Sequence, residues 1–126
     1  MPLVKVSLLK GKTKEYKQAI RDSLYQGFQN GFNIKDDSLF TLINEYEKEN
    51  FLFPKNYLDI DHTDDLIIIE IVANIGRTQE QKKILYSEIN LALVRTLNIR
   101  SEDIIINIVE VPKDNWSMGN GVAAFV

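Results

Sequence analysis

Two apolar strand patterns, each followed by an apolar stripe at helical spacing, set the frame of this chain. Leu3-Val4-Lys5-Val6-Ser7-Leu8-Leu9 reads as a strand. After a turn at Gly11, residues Tyr16, Ile20, Leu24, Gly27, Phe28 and Gly31 recur at helical steps, and Thr13 stands where the N-cap belongs. Residues 39–46 return to a strand pattern. Leu66-Ile67-Ile68-Ile69-Glu70-Ile71-Val72 is an almost continuous β-branched run, the mark of a strand buried on both faces or covered on one by a subunit. Thr78-Gln79-Glu80-Gln81 reads as a capping box, with Thr78 at the N-cap and Gln81 at the third helical position. Leu85, Ile89, Ala92 and Leu93 carry the stripe of a second helix, and residues 103–111 close with a strand.

The second half repeats the first, residue i matching residue i + 65 without a gap. Gly11-Lys12-Thr13 matches Gly76-Arg77-Thr78, Lys17 matches Lys82, Phe32-Asn33-Ile34 matches Leu97-Asn98-Ile99, and Glu45 matches Glu110. Two strand–helix–strand copies, roughly 3–46 and 66–111, imply an internal pseudo-twofold within one domain spanning 1–126. Each copy is expected to be a right-handed parallel crossover. The fold class is then α/β, a four-stranded mixed sheet with two helices on one face. The other face is expected to be apolar and uncovered, and so to be buried by oligomerisation. A ferredoxin-like, non-catalytic binding module would use the same order of elements with antiparallel pairing. Two segments fall outside the copies. Residues 47–64 carry Phe51-Leu52-Phe53-Pro54, and residues 112–126 carry Gly119-Asn120-Gly121, a hairpin signal.

Composition narrows the function classes. Hydrophobic residues make up 44% and charged residues 26% of 126, the proportions of a globular chain able to bury a core. A net charge of −3 argues against a polyanion partner. Lys10, Lys12, Lys14, Lys17 and Arg21 cluster without interleaved aromatics, as a solvated face rather than a nucleic-acid groove. There is no cysteine, which removes disulfides and thiolate chemistry. Neither a signal peptide nor an apolar run of bilayer length is visible, so a cytoplasmic protein without membrane contact is expected. Asp61-His62-Thr63-Asp64-Asp65 holds the one histidine and reads as a polar turn rather than a metal cluster. No metal or organic cofactor is implied.

Candidate chemistry begins at Pro2. With Met1 removed, the chain would start on a secondary amine with a titratable lone pair, at the head of a strand. Met-Pro followed by a duplicated β-α-β unit resembles the tautomerase superfamily. Asp114-Asn115-Trp116-Ser117-Met118-Gly119-Asn120-Gly121-Val122-Ala123 is similar to the W-S-F-G-x-G-x-A segment of malonate semialdehyde decarboxylases, and Arg77-Thr78-Gln79-Glu80-Gln81-Lys82 resembles the start of their second helix. The resemblance covers essentially the whole chain. Met118 stands where that subgroup has phenylalanine, and Ile75 where it has the first of two arginines. Its acidic residue falls at Ser38, with Asp36 and Asp37 just before.

The resemblance implies a homotrimer or hexamer, here taken as a homotrimer, and a pocket centred on the N-terminal proline. A proton-transfer base must titrate near neutral pH. Apolar walls, for which Trp116, Phe125 and Phe40 are the candidates beside Met118, would disfavour the Pro2 cation, as would the charge of Arg77. Arg77 suits a substrate carboxylate through its planar fork. The expected activity is keto–enol tautomerisation of small carboxylate-bearing enols or 2-oxo acids. The alternative is decarboxylation or hydration of a 3-oxo acid, with Pro2 protonated and acting as an acid.

Overall fold

The computed structural model describes residues 2–35 and 37–125; Met1, Val126 and Asp36, the first of the two acidic residues before Ser38, lie outside the described residues. Strand β1 (Leu3–Leu9) leads into helix α1 (Lys14–Phe32) and strand β2 (Phe40–Tyr46). A short hairpin of β3 (Asn56–Tyr57) and β4 (Ile60–Asp61) precedes β5 (Ile67–Asn74), α2 (Gln79–Leu97) and β6 (Ile104–Val111). The main sheet runs in the order β2-β1-β5-β6. β1 pairs with β2 and β5 with β6 in parallel, and the two copies meet antiparallel through β1 and β5. Parallel pairing inside each copy excludes the ferredoxin-like arrangement.

The repeat is visible atom by atom. Thr13 accepts a hydrogen bond from the Tyr16 N–H, and Thr78 one from the Gln81 N–H, with the Gln81 side chain returning to Thr78 as a capping box. Asn33 and Asn98 close the helices in the left-handed conformation, at φ 56° and 55°, a backbone region asparagine tolerates. Lys17 meets Glu45 at 2.9 Å and Lys82 meets Glu110 at 2.7 Å, so each helix is tied to the end of its own second strand. The correspondence also runs past the strands. One-turn 3-10 helices at Lys48–Asn50 and Lys113–Asn115 occupy matching positions, and each is followed by an aromatic residue, Phe51 and Trp116. The two segments expected to lie outside the repeat therefore begin as copies of each other.

Both helices pack on one face. Val4, Val6 and Leu8 from β1 and Ile67, Ile69, Ile71 and Ala73 from β5 meet Ile20, Leu24, Phe28, Leu85, Ile89 and Leu93 in one buried cluster. α1 approaches α2 closely because Gly27 and Gly31 have no side chain there. A Cβ on Gly27 would lie 2.6 Å from the Ile89 Cγ1, and one on Gly31 would lie 2.8 Å from the Leu85 Cα.

The opposite face differs from the expectation of an apolar surface. Leu3, Phe40, Val72 and Val109 align there as an apolar row, but the next row is Leu42, Lys5, Glu70 and Asn107. Lys5 and Ser7 on β1 and Glu70 and Asn74 on β5 break the run, so the face is an apolar band crossed by a charged one. The isoleucine-rich strand is buried only on its helix side.

The hairpin after β2 turns at Leu58 and Asp59, both at positive φ, as a two-residue hairpin turn requires. It docks on the second copy. His62 donates from Nδ1 to the Glu102 carbonyl at 2.9 Å, and the Thr63 N–H donates to the fully buried Asp103 carboxylate at 2.7 Å. At the other end of the chain the Gly119-Asn120-Gly121 hairpin does not form. All three residues take positive φ, at 136°, 60° and 69°. Instead the tail folds back once, the Ala124 N–H donating to the Trp116 carbonyl at 3.0 Å.

Candidate active site

Pro2 is buried, one residue before β1. Its carbonyl accepts from the Phe40 N–H at 3.2 Å, which fixes it to the first residue of β2. The antiparallel register Leu3–Val72 carries Pro2 to the level of Ala73, the residue before Asn74 at the end of β5. The chain then leaves the sheet through Ile75 and Gly76, whose φ of 126° favours glycine, and reaches Arg77 just ahead of the α2 N-cap. Pro2 and the β5–α2 turn thus lie at one end of the sheet.

Arg77 is half-buried and held from two sides. It donates from Nη1 to the Asn74 carbonyl at 3.3 Å, and its guanidinium carbon sits 4.6 Å from the centre of the Phe32 ring. The aromatic face supports the cation without neutralising it. Among the described residues no carboxylate lies within ion-pair distance of Arg77. A cation before a helix start opposes the helix dipole, so this placement serves something other than helix stability.

Asn74, Ile75, Gly76, Arg77, Lys113 and Phe125 line a cleft of about 450 Å³. Trp116 braces its wall, donating from Nε1 to the Asn74 Oδ1 at 2.7 Å. Arg77 and Phe125 are thus brought together as lining, with Trp116 behind them. Pro2, Phe40 and Met118 are not among the residues that line the cleft. Phe40 stands on the open sheet face beside Leu3, and Met118 lies on the exposed tail. Asp37 is engaged by Arg21 in an ion pair, and Ser38 follows it half-buried. Asn74 and Lys113 were not singled out from sequence. The polar end of an isoleucine-rich strand was the available signal for the first, and the recurrence of Lys-x-Asn-aromatic at 48–51 and 113–116 for the second.

A family model described as tautomerase enzyme matches residues 38–119, and a second model with the same description matches residues 2–58. "Probable tautomerase YusQ" of Bacillus subtilis (strain 168) is 33% identical over 126 residues, covering 100% of this chain and 99% of that one. "Probable tautomerase YrdN" of the same organism is 23% identical, covering 100% of this chain and 97% of that one. Among solved structures, a malonate semialdehyde decarboxylase superposes with a TM-score of 0.91 at 22% identity, over 98% of this chain and 95% of that one. A fused 4-OT described as a symmetric trimer superposes at 0.79 with 20% identity, over 96% and 94%. At these identities the superpositions speak for the fold.

Proposed function

This chain belongs to the tautomerase family, and from that premise we propose that it moves a proton on small carboxylate-bearing enols or 2-oxo acids, with Pro2 as general base and Arg77 as the anion-binding cation. The observation that carries the reading is Arg77 itself. It is a guanidinium stacked on Phe32 with no carboxylate partner among the described residues, at the sheet end where Pro2 is buried.

The roles follow from the groups. With Met1 removed, Pro2 has a secondary amine, and its burial at the sheet end that carries Arg77 disfavours its protonated form. The neutral nitrogen takes the proton from carbon or from the enol hydroxyl and returns it to the other site. Arg77 binds the carboxylate through two parallel N–H donors and stabilises the charge that develops on the neighbouring oxygen. Phe125 and Ile75 give the cleft an apolar side, and Trp116 keeps that side closed through Asn74.

A second reading shares the same residues. With Pro2 protonated, the site is an acid that promotes decarboxylation or hydration of a 3-oxo acid. The superposition on malonate semialdehyde decarboxylases, at TM-scores of 0.91 and 0.88, supports this reading more strongly than the 0.79 on the fused 4-OT trimer supports the first. Ile75, which leaves Arg77 as the one arginine of the turn, favours the first. For assembly, the apolar row of Phe40, Leu3, Val72 and Val109 supports a homotrimer that covers the open face.

Rates on an enol acid and on malonate semialdehyde, measured side by side, decide between the two reactions. Pro2→Ala is expected to lower turnover of the preferred substrate by about 10²–10⁴-fold. Arg77→Lys keeps the charge but loses the fork and the stack, and is expected to lower kcat/KM by roughly tenfold or more. Full activity in Pro2→Ala, or intact mass showing that the active protein retains Met1, would sink the assignment of Pro2.

A further inference from the structure

The pseudo-twofold gives the Arg77 cleft a counterpart. Leu9, Lys10, Gly11, Lys12 and Lys48 line a cleft of about 400 Å³ with Asp64 and Asp65, and they occupy the positions matching Asn74, Ile75, Gly76, Arg77 and Lys113. The two clefts share these five positions, whose side chains can be compared, while Asp64 and Asp65 in one and Phe125 in the other are not counterparts.

In the first-copy cleft every cation is answered. Lys12 donates from Nζ to Asp65 at 2.6 Å, Lys48 meets Asp64 at 3.2 Å, and Lys10 meets Glu47 at 3.2 Å. In the second copy the Lys10–Glu47 pair is replaced on both sides. Pro112 stands at the position of Glu47, and Ile75 at that of Lys10. Among the described residues neither Arg77 nor Lys113 has an ion-pair partner. Arg77 and Lys113 both line this one cleft. Two cations that line one cleft with no ion-pair partner among the described residues suit an external anion.

We infer that Lys113 supplies the second positive charge of the anion site, so that the cleft selects acids carrying an oxygen beside the carboxylate on which charge can collect. This inference rests on the proposed reading of the Arg77 cleft. Lys113 opens the 3-10 turn that leads directly into Trp116, and the Trp116–Asn74 hydrogen bond anchors that turn against the wall of the cleft. Arg77 offers a flat, fixed fork suited to the carboxylate. Lys113 offers a point charge on a flexible stem, suited to an oxygen whose charge changes during reaction. A 2-oxo acid and its enolate present both groups.

The test compares Lys113→Met, Lys113→Arg and Lys48→Met, the last removing the matching lysine of the neutralised cleft. Binding of 2-oxobutanoate is followed by NMR titration of the full-length protein, alongside kcat and KM for the turned-over acid and binding of the neutral methyl ester. Loss of one charge-assisted contact should weaken 2-oxobutanoate binding roughly 10- to 100-fold in Lys113→Met. Lys113→Arg should recover most of it, Lys48→Met should match wild type, and the ester should be indifferent to all three. If no acid is turned over but 2-oxobutanoate binds through Lys113, the reaction assignment fails and the inference stands. Wild-type affinity in Lys113→Met, equal losses in Lys113→Met and Lys48→Met, or no binding to wild type overturns it.

Discussion

Trp116 and Asn74, 42 residues apart in sequence, are joined by a 2.7 Å hydrogen bond from the indole N–H to the side-chain carbonyl. The backbone carbonyl of the same Asn74 accepts from Arg77. One residue at the end of β5 therefore positions the tail with its side chain and the cation with its main chain. Asn74→Ala would release the indole and leave the Arg77 contact in place. We expect kcat/KM to fall about tenfold with global stability reduced by no more than about 1 kcal/mol, since one hydrogen bond at a half-exposed site is lost. Paired steady-state kinetics and urea unfolding measure both. A stability loss as large as that of a core truncation would show that the bond holds up the fold instead.

The α1–α2 contact predicts a graded response to the smallest possible side chain. The methyl of Gly27→Ala meets the Ile89 Cγ1, a side-chain atom with some freedom, whereas the methyl of Gly31→Ala meets the Leu85 Cα, which cannot move without the helix. Overpacking of this kind costs about 1–3 kcal/mol. Gly31→Ala should sit at the upper end and Gly27→Ala lower, although alanine is the better helix former at both positions. Chemical denaturation ranks them, and a stabilised Gly31→Ala would contradict the close packing.

Stability should fall at alkaline pH through two neighbours. Burial raises the Tyr16 phenol above its ordinary value of 10.0, and the hydrogen bond to Asp65 raises the Lys12 ammonium above its ordinary 10.5. Both groups hold their protons more tightly in the folded chain. Their contribution is complete below the ordinary values and is lost as pH rises through the raised ones. Among the described residues the buried Tyr16 hydroxyl has no hydrogen-bond partner, so Tyr16→Phe should stabilise by about 1 kcal/mol at neutral pH and flatten the alkaline loss. Melting temperatures from pH 8 to 11 on both proteins read this out. An unchanged slope in Tyr16→Phe would assign the loss elsewhere.

Much of the fold was legible because its signals are local. Thr13, Thr78 and Gln81 announce helix starts through bonds spanning three residues, and the 65-residue offset needs only identity at matched positions. The open face was misread because a run of isoleucines conceals which residues share a side, and only the β1–β5 register puts Lys5 beside Glu70. The failed hairpin shows the same limit. Asn-Gly signals a turn, and the bend at Gly119–Gly121 forms without a following strand among the described residues. At the candidate site, Arg77 stood out as a cation on the wrong end of a helix. Asn74 and Lys113 are ordinary polar residues whose meaning depends on a tail that folds back onto a strand end.

The duplication has a further outcome. The position matching Pro2 is Ile67, buried within the continuous chain between Leu66 and Ile68, and its nitrogen is a backbone amide. Two arms of like build thus share a single basic nitrogen of the kind Pro2 is assigned. An alkylating reagent aimed at it would be consumed at one equivalent per polypeptide, never two, however closely the arms superpose.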